Sequence, residues 1–180
     1  MPSLCPGWDV HDVLAHLVDA AMVSRFVFVR RMIMARMDFD RDNATGIART
    51  KRPDPGDTVE AMRAVAASTR TPPASSATRL VEAFVHGEDS RRPLNITSHY
   101  PVEYVTEAVR YQTKTAVGFG GGRERVEGLQ LIATDSDFVH GIDTGAPVHG
   151  KAIDLLLAVS GRVVPSDALG GPGAALLTAS

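Results

Sequence analysis

A single cysteine, Cys5, makes up the chain's entire thiol complement. That excludes an intramolecular disulfide framework and a zinc site built on paired cysteines. Aromatic residues are also sparse, at 6%. A basic excess is missing: 19 Lys and Arg against 21 Asp and Glu leave a formal net charge of −2, whereas a nucleic-acid-binding domain carries a clear positive balance. No uninterrupted apolar run of about 18 residues occurs, so no transmembrane helix is expected. The N-terminus, MPSLCPGWDVHDVLAHL, has Pro, Gly, Trp and charges where a secretory signal would need apolar residues. A cytoplasmic location is therefore expected, without membrane or nucleic-acid partners. What is present is ordinary globular material, 44% hydrophobic over 180 residues, enough for one domain with a modest appendage.

Pro2, Ser3, Pro6 and Gly7 mark the start as a turn, and Asp9 is placed to cap a helix. Val13, Leu14, Leu17, Val18, Ala21, Met22 and Phe26 then recur at amphipathic-helix spacing, which predicts a long helix running to about Met37. Residues 38–56 are rich in polar and breaker residues and read as a loop. A short helix over 57–68, capped by Asp57 with Glu60 completing a capping box, is expected next, followed by a break at TPPASS (71–76). Residues 77–90 and 101–119 read as further helices, the latter with Pro101 in its first turn. GFGGGRE (118–124) is the sharpest change in composition and sets expected domains of 1–119 and 125–180. Beyond it the period changes to two. Strands over 127–135 and 137–143, a third element at 146–148, a helix over 150–162 and a loose Gly/Ala-rich tail are expected.

The chemistry-bearing pattern is EAFVH. Glu82 and His86 at i, i+4 lie on one helix face, so a carboxylate and an imidazole can converge on one ion. Asp89 falls near the same face, and His16 on another helix would be a third donor. Two nitrogens and one oxygen leave a position open on zinc or a similar divalent metal. Asp89 or Asp12 could then orient an imidazole. Spacing alone leaves a second account standing, in which the stripe is a solvated helix face and His16 a core histidine.

CPGWDVHDVLAHL (5–17) resembles the signature of the mycothiol-dependent maleylpyruvate isomerase family, a branch of the DinB-like metal-binding helical bundles. EAFVHGEDSRRPL (82–94) and the stretch from LIATDSD (131–137) to VSGR (159–162) are similar to later segments of the same proteins. The resemblance implies a mainly α fold, a DinB-like up-down bundle with a small C-terminal α/β appendage. It places metal ligands on His16, Glu82 and His86, with zinc the expected ion. It also implies mycothiol as a thiol cosubstrate, activated for attack on a small-molecule electrophile by isomerase or transferase chemistry. A chain with one cysteine suits a borrowed nucleophile. Arg91 and Arg92, one to two turns beyond His86, would help to hold a carboxylate.

Members of that family carry a further helix before the CPGW loop, so the first bundle helix is expected to be missing here. An apolar groove would then be exposed, and a homodimer is possible. Cys5 and Trp8 read as structural residues of the loop and the bundle end. His140, His149, His11 and His99 read as surface or boundary positions. The eight Lys and Arg against three Asp between residues 25 and 52 read as a solvated face with some capacity to steer an anion.

Overall fold

The computed structural model describes residues 1–70 and 75–179. The expected break at 71–76 therefore falls largely outside the described residues. The chain forms two compact units, one of residues 1–76 and 86–97 and the other of residues 77–85 and 98–180. Among the described residues it is mainly helical, with one small sheet in the second unit.

In the first unit, α1 (Val10–Met22) starts at a reciprocal cap: Asp9 accepts from the Asp12 amide while the Asp12 side chain accepts from the Asp9 amide. The long helix expected to reach Met37 is instead two. Val23 is extended, Ser24 caps a new helix, and α2 covers Arg25–Met34. The reading of 38–56 as a loop is also corrected, because Asp38 caps α3 (Phe39–Thr50). α4 (Pro55–Val65) begins earlier than expected, capped by Asp54 with Pro55 in its first turn.

The three helices α1, α2 and α3 meet around a buried cation. Arg31 on α2 donates through Nη1 to Asp19 of α1 and through Nε to Asp42 of α3, both at 2.7 Å. Arg49 also donates to Asp19. Burial opposes the charge on Arg31, yet the paired carboxylates outweigh it and raise the pKa. Gly46 makes the room, since a Cβ there would overlap the Asp19 carboxylate. Part of the basic stretch read as solvated is thus an internal ion network. Along α2, Phe28, Arg31, Met32 and Ala35 face inward, whereas Phe26 and Ile33 remain 78% and 69% exposed. No helix among the described residues is long and apolar enough to cross a membrane.

One helical run spans the change from one unit to the other: α5 (Ala77–Val81), a π-helical turn (Glu82–His86) and α6 (Gly87–Arg91). In the second unit α5 packs on α7 (Val102–Gln112), shorter than the 101–119 expected, with Pro101 as its N-cap residue. The glycine run folds into a tight turn: Gly122 donates to the Gln112 carbonyl, and a Cβ on it would overlap the Val159 carbonyl. β1 (Leu129–Ala133) alternates buried and half-buried positions. It pairs antiparallel with β2 (Val139–His140) and parallel with β3 (Ala146–Gly150). α8 (Ala152–Val159) is apolar almost all round and buries Leu155, Leu156, Leu157 and Val159 completely between α7 and the sheet. The tail expected to be loose is ordered: β4 (Leu169–Gly170) extends the sheet to the order β2-β1-β3-β4, and α9 (Ala174–Thr178) buries Leu177.

Candidate metal centre

The loop before α1 is built to hold two side chains in place. Ser3 Oγ donates to the Trp8 carbonyl at 2.9 Å and accepts from the Cys5 amide at 3.0 Å. The Trp8 amide closes the turn onto the Cys5 carbonyl, and Gly7 supplies the left-handed residue the turn needs, at φ 79°. The Leu4 amide donates to the Asp89 carbonyl at 3.2 Å, tying the loop to α6.

His16 follows on the buried face of α1 and is 8% exposed. Its ring centroid lies 4.8 Å from that of His86, edge to face. The Trp8 ring covers both, 5.0 Å from His16 and stacked 5.9 Å from His86. Trp8 is therefore part of the site, a role its position in the sequence does not announce. The only sign is its place next to the helix cap.

Asp89 is fully buried and its Oδ2 lies 2.9 Å from His86 Nδ1. An ionised carboxylate only accepts, so Nδ1 carries the proton and Nε2 presents its lone pair. This is the arrangement by which a carboxylate fixes the tautomer of a metal-binding imidazole. Asp12, the other residue weighed for that task, instead pairs with Lys51 at 2.8 Å. The bond to Asp12 is the main reason the Lys51 pKa is raised.

Glu82 lies on the same helical run, at the other end of the π-helical turn from His86. Single π turns set within α-helices recur at functional sites. One potential ligand atom each from His16, Glu82 and His86 lies within 4.8 Å of the others. The donor set is two nitrogens and one oxygen, chemistry suited to zinc or a related divalent ion. One potential ligand atom each from Cys5, His86 and Asp89 also lies within 4.8 Å of the others. Of the two arginines expected to hold a carboxylate, Arg92 donates through Nε to Glu88 at 2.7 Å, and Arg91 is half-buried at the end of α6. His11 bonds Thr58 at 2.8 Å, and His140 and His149 belong to strands β2 and β3.

Residues 1–71 match the family model of the mycothiol maleylpyruvate isomerase N-terminal domain. No curated protein and no solved structure matches the chain. The matched stretch contains Cys5, Trp8 and His16, while Glu82, His86 and Asp89 lie beyond it.

Proposed function

We propose, from the match of residues 1–71 to the mycothiol maleylpyruvate isomerase N-terminal domain, that this chain is a relative of that family, binds one divalent metal through His16, Glu82 and His86 and uses it in thiol chemistry. The observation that carries the reading is the convergence of those three donors beside a buried carboxylate that already orients His86. Zinc is the ion the donor set suits best, and when bound it would favour the thiolate form of an incoming small thiol such as mycothiol. The protein's own groups would do the rest. Asp89 holds the His86 proton on Nδ1, Trp8 shields the two imidazoles from water, and Arg91 and Arg92 bind an anionic group of the electrophile.

The test begins with metal analysis of purified protein. Wild type is expected to hold one zinc per chain, and His86→Ala and Glu82→Gln are expected to lose it. Equal, negligible zinc in all three would overturn the reading. Mycothiol consumption against a panel of small electrophiles then separates an isomerase or transferase from a binding module that keeps the ligands without turnover.

A second reading, self-association, is favoured by the outer face of α2. Phe26, Val29 and Ile33 lie along it, exposed. An antiparallel second copy would cover that stripe and set the Arg25 end of one helix beside the Asp38 end of the other. Light scattering is then expected to show a dimer that Phe26→Glu dissociates.

A further inference from the structure

The proposed reaction borrows its thiol and gives Cys5 no part, yet the fold holds Cys5 as carefully as it holds the histidines. Its amide donates to Ser3 Oγ, and its carbonyl accepts from the Trp8 amide. The neighbouring Leu4 amide is bonded to the backbone of Asp89. The loop is thus fastened to the residue whose carboxylate, with Cys5 Sγ and a nitrogen of His86, makes a group of donor atoms within 4.8 Å of one another. Cys5 is half-buried and Asp89 has no exposure at all. A sulfur, a nitrogen and an oxygen in a sheltered pocket differ in kind from the nitrogen-and-oxygen set next to them. Thiolate ligands select soft cations, whereas imidazole with carboxylate suits borderline and harder ones.

We infer that Cys5, His86 and Asp89 form a second donor set that takes a thiophilic cation in place of the ion at His16, Glu82 and His86. The inference rests on His86 being a metal ligand in the proposed function. His86 is common to both sets, and two dications so close together would repel strongly, so the sets fill one at a time. On capture the Cys5 thiol gives its proton to solvent and forms a sulfur–metal bond, while the His86 proton leaves Nδ1 and Nε2 takes one up from solvent, so that Nδ1 offers its lone pair to the ion. Asp89 changes from a hydrogen-bond partner of the imidazole into a ligand. The softness of the ion thus decides which side of His86 is used, and thiophilic metals act as competitive inhibitors of the proposed centre.

Titration of the zinc-loaded full chain with Cd2+ tests this, read by the ultraviolet sulfur-to-cadmium charge-transfer band and by zinc released. The expected result is a band that saturates at one Cd2+ per chain, with zinc released one for one. Cys5→Ser, with Cys5→Ala as a second variant, should abolish the band and weaken Cd2+ binding while zinc content is unchanged. Glu82→Gln should lower zinc and keep the band. Cd2+ bound without the band, a band without zinc release, or full Cd2+ affinity in His86→Ala would overturn the second donor set alone. A wild-type chain that takes up no zinc overturns both this inference and the proposed function.

Discussion

At the scale of single residues, Asp89 has the clearest energetic task. A buried carboxylate is costly unless it is paired, and here its partner is the Nδ1–H of His86. Asp89→Asn keeps the size and removes the charge, so at the proposed centre His86 would become a weaker and less well oriented ligand. Zinc affinity, measured by chelator competition, is expected to fall about 10–100-fold with the circular dichroism spectrum unchanged. The sequence displays Glu82, His86 and Asp89 together because helical spacing is a local property. His16 is different: 66 residues separate it from Glu82, and nothing local says that α1 turns it inward rather than burying it as an ordinary core histidine. Trp8 and Cys5 are harder still, since their directions are set by the Ser3 and Leu4 hydrogen bonds of the loop, which no periodicity encodes.

At the scale of elements, the two revised helices share a cause. Apolar residues continue at helical spacing across Ser24, so the rhythm alone cannot register that its hydroxyl caps a fresh helix. Residues 39–50 contain Asp, Asn and Gly, all poor helix formers, yet they fold as α3 because Asp38 caps them and Asp42 and Arg49 join the network around Arg31. Tertiary pairing overrides propensity there. Arg31→Ala would leave Asp42 without its partner and Asp19 with Arg49 alone, and a buried pair broken in this way costs about 3–5 kcal/mol. Urea unfolding should record a loss of that size. Gly46→Ala should also lower stability, because its methyl group would displace the Asp19 carboxylate. The strands and α8 were more legible, since alternation in β1 and the Leu155–Leu157 run report burial directly.

At the scale of the whole molecule, stability should depend on pH through His140. Burial, helped by the charges of Lys114 and Arg110, lowers its pKa below the ordinary 6.5. The unfolded chain therefore binds this proton more readily than the folded one. Stability is unaffected above the ordinary value and falls as pH drops through it toward the lower folded value. Melting curves between about pH 7 and pH 5 should show that loss, and His140→Gln should make it shallower. The run Ala77–Arg91 passes from one unit to the other, and its wide turn at Glu82–His86 has a consequence of its own. An extra residue in one turn acts as a phase shift, resetting which side the later residues occupy without bending the earlier ones. Phe84 and Leu80 can therefore keep their place in the apolar core while His86 and Asp89 are aimed independently. Deleting Ala83 would restore a regular helix with every donor residue still in the chain, yet it should abolish zinc binding, because the aim resides in the phase.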